Sequence, residues 1–295
     1  MLPTEKKEKQ MEKTVLVVGL GNMGAALAET LLGAGYDTWV WNRTKEKADI
    51  LLQKGASWSE NVWAAMGKVD YVVMCVTNYA SSVELFSTCP ELDKKVIIQL
   101  TTGTASDANS FAGLVRHKQG LYIDGAIMAY PSVIGDQNCL LLVAGSQEVW
   151  AKSEALILKL GGQAKYLGEE VGAPSHLDHA LLAPSIMMQM AVIQGVHMAQ
   201  RAGVDLDFYS KMMASLPVSL KADLERHTRA IIDNDFSDVQ ASIRTWKEAL
   251  ERVLEEGQTS RINVDLLSGV NRMLALGVEQ GVGEQDIAAL TKVMS

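Results

Sequence analysis

The stretch Val15–Gly24 reads VLVVGLGNMG, and its reading decides the fold around it. The unbroken apolar run Val15–Leu20 is what a strand buried on both faces requires. Gly19, Gly21 and Gly24 fall in the spacing G-x-G-x-x-G. Each glycine has its own physical task. Gly19 permits a tight turn, Gly21 lets backbone come close to a pyrophosphate, and Gly24 lets the next helix pack against the strand. Met23–Leu32 carries helical periodicity and stops at Gly33 and Gly35. A helix starting here turns unpaired N–H groups and the positive end of its dipole toward a phosphate. The glycines alone are a weak signal. A strand before them and a helix after them make a dinucleotide-binding loop.

The same alternation continues outward. Thr38–Trp41, Tyr71–Val76, Val96–Leu100 and Leu121–Ile127 read as strands, and Cys139–Ala144 and Lys165–Leu167 as short further ones. Lys45–Lys54 and Gln147–Lys159 read as helices. Strands separated by helices are βαβ units, so the predicted fold class is α/β, with a doubly wound parallel Rossmann sheet over residues 11–170. Near Gly168 the pattern changes, and residues 171–295 read as an all-α domain. His176–Ala202 is a long, mostly apolar helix that ends at Gly203. Asp178, His179, Gln189, Gln194 and His197 spread along it, which argues against a membrane span. A helix apolar nearly all round needs cover on most sides, and a second copy of the chain is the expected source. Asp207–Ala214, Ser219–Asn234, Asp238–Glu256, Val264–Leu276 and Glu284–Met294 are predicted helices.

The second strand ends in Trp41-Asn42-Arg43-Thr44. A site for NAD would carry Asp or Glu there, to bind the ribose 2′-hydroxyl. Asn42 is neutral, and the Arg43 guanidinium offers a planar donor fork and permanent charge to a 2′-phosphate. Thr44 adds a hydroxyl and Lys47 lies one turn on. These residues favour NADP(H), while helix capping by Asn42 or Thr44 with a solvated Arg43 accounts for the same letters. Val76-Thr77-Asn78 and Leu100–Thr104 close two further strands, whose carboxyl ends face the ligand crevice. Thr77 and Thr104 read equally as N-caps.

Composition removes other classes. The chain has 295 residues, 48% hydrophobic, with a formal net charge of −8, and no basic patch speaks for nucleic acid. Cys75, Cys89 and Cys139 are too few and too isolated for a disulfide framework, which points to a reducing, cytoplasmic setting. No His, Cys or carboxylate cluster has metal-ligand spacing. Residues 1–10, MLPTEKKEKQ, are charged, lack an apolar segment, and read as a disordered tail rather than a signal peptide.

Taken together, GLGNMG, WNRT, LTTGT, DGAIMAYP (Asp124–Pro131) and GGQAKYLGEEVGAPSHLDHALL (Gly161–Leu182) resemble the imine reductases and reductive aminases of the β-hydroxyacid dehydrogenase superfamily, over nearly the whole chain. The hydroxyacid enzymes carry a catalytic lysine in a K-x-x-N-N pattern. Here Asp178 stands at the lysine position, and Leu181 and Leu182 at those of the asparagines. The exchange has chemical meaning. Ammonium suits the oxyanion of a carbonyl receiving hydride, whereas a carboxylic acid protonates an imine and a carboxylate stabilises an iminium.

The resemblance implies NADPH as hydride donor, with cyclic imines or ketone-plus-amine pairs as substrates. It also implies an intertwined homodimer, its active sites lying between one Rossmann domain and the partner's helices. It places Gly19, Gly21, Asn22, Met23, Gly24, Asn42, Arg43, Thr44, Lys47, Val76, Thr77 and Thr102 at the cofactor and Asp178 at the reacting nitrogen. Ile127, Met128, Ile186 and Trp246 would wall the substrate pocket, Trp246 from the other subunit. Relatives often carry Tyr or Trp where this chain has Ile186, and Pro184 interrupts the helix after Asp178. A carbonyl reductase of the hydroxyacid type and a non-catalytic NADPH-binding protein are the alternative readings.

Overall fold

A computed structural model of the chain describes residues 14–215 and 217–294, so the expected tail over residues 1–10 lies outside the described residues. Its first strand, β1 (Thr14–Val18), is the apolar run that opened the sequence. Val15–Val18 are all fully buried. Successive side chains point to opposite faces, so Val15 and Val17 join one core layer and Leu16 and Val18 the other. A strand with helices on both faces has no polar side, which is why this segment lacks alternation.

Chain order through the first unit is β1, α1 (Asn22–Gly33), β2 (Asp37–Trp41), α2 (Asp49–Gln53), β3 (Ser57–Trp58), α3 (Val62–Met66), β4 (Tyr71–Met74), α4 (Tyr79–Ser87), β5 (Val96–Gln99) and α5 (Ala105–His117). Then come β6 (Leu121–Ile127), β7 (Leu140–Gly145), α6 (Gln147–Leu160) and β8 (Gln163–Tyr166). The eight strands lie in the order β3-β2-β1-β4-β5-β6-β7-β8. Val15 pairs with Thr38 on one side and Tyr71 on the other, and the chain winds from β1 through β2 to β3 before crossing back to β4, so the strand order reverses at β1. A crevice opens at the carboxyl ends of such strands, where the order reverses.

Four details differ from the sequence reading. β7 runs antiparallel to β6, pairing Ile127 with Leu141. The connection between them holds only a short 3-10 turn, Pro131–Val133, and a parallel return needs a full crossover. The expected helix Lys45–Lys54 is split into a 3-10 turn, Lys45–Ala48, followed by α2. The helix expected from Asp238 begins at Ile243, where the Ser242 side chain accepts the Thr245 N–H as a cap. The helix expected over Glu284–Met294 is a 3-10 stretch, Ile287–Val293. Asp286 starts it by accepting the Ala288 N–H at 3.0 Å, and Arg226 holds the same carboxylate at 2.6 Å.

The chain divides into two compact units at Pro184 and Ser185. α7 (Ala173–Arg201) runs without a break through Pro184. The second unit continues with α8 (Leu206–Ser215), α9 (Pro217–Asp233), α10 (Ile243–Thr259) and α11 (Asp265–Glu279). Its core gathers Ile243, Leu274, Ala289 and Leu290. By length and composition α7 is apolar enough to cross a membrane, and Met187, Met188 and Ile193 along it are exposed.

Candidate functional site

The crevice beside β1 and β4 is a cavity of about 550 Å³, floored by the glycine loop. Gly19 sits at φ +95°, and a Cβ there would run into the Cys75 carbonyl oxygen. A Cβ on Gly24 would strike the carbonyl of Gly19. Gly21 has nothing within 4 Å of where a Cβ would stand, so open space lies over the backbone at the start of α1. That helix has no side-chain cap and no acid in its first turn. Its leading N–H groups remain available to an anion, so the cradle fits a pyrophosphate.

The end of β2 forms the next wall. Asn42 takes the Leu20 N–H on Oδ1 at 3.0 Å and donates from Nδ2 to the Thr44 carbonyl at 2.9 Å. It therefore ties the loop after β2 to the glycine loop, and it presents no acid to a ribose. Arg43 and Lys47 line the cavity, are exposed, and make no ion pair among the described residues. Lys45, between them, is held by Glu60 at 2.8 Å. Thr44 stands at the N-cap of the 3-10 turn, yet its hydroxyl accepts no capping bond. Two unpaired cations and a free hydroxyl around a site lacking the usual carboxylate fit a 2′-phosphate.

Val76 and Thr77 line the same cavity. Val76 N–H donates to the Thr101 hydroxyl at 3.1 Å, which fastens the ends of β4 and β5 together. Asn78, rather than Thr77, caps α4, and Thr104 caps α5 in a reciprocal box with Asp107. Thr102 is exposed and lies outside the cavity lining, as do Ile127 and Met128, half-buried at the end of β6. Cys75 also faces the cavity, but burial pushes its thiol up to about 11, so it is no nucleophile at neutral pH.

One wall was not anticipated. Ser81, Glu84, Leu85 and Thr88 line the cavity from α4. They fall at i, i+3, i+4 and i+7, a single helical stripe. That spacing was present in the sequence, but nothing in it says which face meets the crevice.

Asp178 lies in the first turns of α7 and is only 8% exposed, while His176 and His179 beside it are exposed. Burial raises its pKa above the usual carboxylate range, and the neighbouring His179 partly opposes that. Among the described residues its carboxylate has no hydrogen-bond partner. A carboxyl group in this setting keeps its proton longer than a solvated one and can deliver it. Ile186 and Trp246 belong to the second unit, and both are exposed.

A second buried acid escaped the sequence reading. Asp124, 1% exposed in the middle of β6, accepts hydrogen bonds from Tyr79 at 2.9 Å, Tyr122 at 3.0 Å and the Gly172 N–H at 3.2 Å. Burial raises its pKa, against the pull of these donors. Asn109 adds a bond to the Val171 carbonyl at 3.0 Å. Together they fix the turn from which α7, and so Asp178, departs. An acid inside an otherwise apolar strand, LYIDGAI, was the available signal.

Residues 14–168 match the NAD binding domain of 6-phosphogluconate dehydrogenase. An NADPH-dependent reductive aminase of Aspergillus oryzae is 28% identical over 285 residues, 95% of this chain and 96% of that protein. The solved structure of an imine reductase from Pseudomonas sp. superposes with a TM-score of 0.92 at 30% identity, covering 96% of this chain and 99% of that one. A reductive aminase from Aspergillus terreus, solved with NADPH and ethyl levulinate, gives a TM-score of 0.92 at 27% identity, over 96% and 99% of the two chains.

Proposed function

The chain belongs to the imine reductases and reductive aminases, built on a dinucleotide-binding domain of the 6-phosphogluconate dehydrogenase type, and we propose that Asp178 is the residue that handles the proton in its reaction. It is an NADPH-dependent oxidoreductase acting on carbon–nitrogen double bonds. NADP(H) is held by the glycine loop at the pyrophosphate and by Arg43, Thr44 and Lys47 at the 2′-phosphate. When bound, it supplies the hydride. The protein's own task is to orient the substrate, exclude water and deliver a proton to the nitrogen that becomes an amine.

Asp178 suits that task because its carboxyl is buried without a hydrogen-bonding partner among the described residues, and burial makes it hold its proton to higher pH than a solvated carboxyl does. This is the single observation that carries the role. In its protonated form the acid gives an imine nitrogen its proton, and the carboxylate left behind favours the cationic iminium over an alkoxide, so the substrates proposed are cyclic imines, with ketone-plus-amine pairs as the extension. Ile127, Met128, Ile186 and Trp246 are proposed as apolar walls for such substrates.

We further propose a homodimer in the cytoplasm. Exposed Met187, Met188 and Ile193 on α7 support the dimer, since burying each such side chain gains about 1.5–3 kcal/mol. Three unbridged cysteines support a reducing compartment.

The test is NADPH consumption with 1-pyrroline and 3,4-dihydroisoquinoline, with an imine-free blank. Turnover is expected for the native chain. Asp178→Ala is expected to lower kcat by about two orders of magnitude, the scale of a lost general acid, with NADPH binding unchanged. Full turnover by Asp178→Ala would overturn the assignment. Tight NADPH binding without turnover of any imine would favour a binding protein.

A further inference from the structure

The dinucleotide cavity has a group that the phosphates do not explain. Its α4 wall presents Ser81, Glu84, Leu85 and Thr88. Two of these are engaged within their own helix. The Ser81 hydroxyl donates to Asn78 Oδ1 at 3.0 Å, and the Thr88 hydroxyl to the Leu85 carbonyl at 3.4 Å. Glu84 is different. Its carboxylate makes no hydrogen bond or ion pair among the described residues, although Arg43 and Lys47 line the same cavity without partners. Glu84, Arg43 and Lys47 are all exposed, and charges of both signs left unpaired in one crevice can serve different parts of one ligand. The cations suit its phosphates. A carboxylate there would repel phosphate, so it must meet a donor.

In a dinucleotide whose pyrophosphate rests on α1 and whose 2′-phosphate rests at Arg43, the base falls to the remaining wall. Adenine carries one hydrogen-bond donor group on its ring system, the exocyclic 6-amino group. Val76 and Leu85 supply apolar surface for a ring face, and Glu84, beside Leu85 on the same stripe, supplies the acceptor. We propose that Glu84 accepts a hydrogen bond from the 6-amino group of adenine and so selects adenine over bases with a carbonyl at that position. The inference rests on the NADPH reading of the cavity and extends it to a specificity residue.

The test compares NADPH with reduced deamino-NADP, in which hypoxanthine puts a carbonyl where adenine has its amino group. Affinities are read from dihydronicotinamide fluorescence on titrating the full chain, without turnover. The native protein is expected to bind NADPH about tenfold more tightly, because the analogue turns an acceptor toward an acceptor. In Glu84→Gln, whose amide can donate, the ratio is expected to fall below about twofold, and Glu84→Ala is expected to remove the preference as well. Arg43→Ala is expected to weaken both ligands alike and leave the ratio intact. Equal binding of the two by the native protein, or a tenfold ratio surviving in Glu84→Gln, overturns the proposal. If Arg43→Ala weakens NADPH while the ratio ignores Glu84, the inference fails and the NADPH reading stands. If NADPH is not bound, or Arg43→Ala leaves its affinity unchanged, the reading beneath the inference fails too.

Discussion

Asp178 shows how one side chain can tie stability to pH in the same direction as the catalytic use proposed for it. Its pKa in the folded protein is raised by burial, so the folded state favours the protonated carboxyl. The stability linked to that preference is complete below the ordinary carboxylate pKa. It is lost as pH rises through the raised value, when a charge must form in a desolvated place. Asp178→Asn removes the charge and keeps the shape. Thermal unfolding followed across pH is therefore expected to give equal Tm values at low pH, and at pH 8 a variant at least as stable as the native chain. Its imine turnover is expected to be about two orders lower at every pH, and the native fall of kcat at high pH should be missing from it. A variant less stable at pH 8 would mean that Asp178 has an ionised partner. In the dinucleotide cavity, Arg43→Ala is expected to raise the KM for NADPH by about tenfold, the scale of charge-assisted hydrogen bonds, and to leave that for NADH nearly unchanged. Steady-state kinetics with both cofactors measures it.

Elements, rather than single residues, hold these groups in register. Two backbone approaches define the glycine loop, and neither leaves room for a methyl group at Gly19 or Gly24. Gly24→Ala is expected to separate α1 from β1, lower stability by about 1–3 kcal/mol as overpacking does, and abolish NADPH binding. Gly21→Ala meets nothing in the protein, so it should fold normally and lose affinity only where the methyl group crowds the phosphates. Comparing the two by denaturation and by NADPH titration separates packing from ligand approach. Asp124 does for α7 what the glycines do for α1. Asp124→Ala leaves the Gly172 N–H without its acceptor and the Tyr79 and Tyr122 hydroxyls with only each other, 3.5 Å apart, at a cost of about 1–3 kcal/mol for each buried group left unsatisfied. A marked fall in Tm is expected, with kcat for imines reduced beyond any change in the KM for NADPH, because the turn that aims Asp178 loses its anchor.

At the scale of the whole molecule, the exposed apolar side of α7 is the main departure from the surface of a monomer. Met187 is 57% and Ile193 60% exposed. Equilibrium sedimentation without detergent is expected to report a dimer. Met187→Asp combined with Ile193→Asp should shift it to monomer and, if the partner's helices complete the site, remove imine turnover while NADPH binding persists. A monomeric native chain would overturn the dimer. A chain recovered only in detergent would turn the same helix into a membrane segment.

How far the sequence was legible follows from the range of the interactions involved. Val15–Leu20, the three glycines and the missing acid at Asn42 are local features. A strand buried on both faces, a left-handed turn and a ribose contact each impose residue types on a few consecutive positions, so the Rossmann fold and the choice of NADPH could be read directly. Asp178 was found through resemblance, since no local pattern marks an acid in a helix as a proton donor. Only the tertiary structure showed that this carboxyl is buried while His176 and His179 beside it are exposed. It also turned β7 antiparallel, since Met128–Cys139 holds a 3-10 turn and no crossover helix. The stripe Ser81–Thr88 was turned toward the cavity, and Tyr79, Tyr122 and Gly172 were gathered on Asp124. These residues lie far apart in the chain, and long-range packing brings them together. The glycine loop was decided by its own ten residues, whereas what surrounds the ligand on the other walls was decided by which helix faces the sheet brings to the crevice.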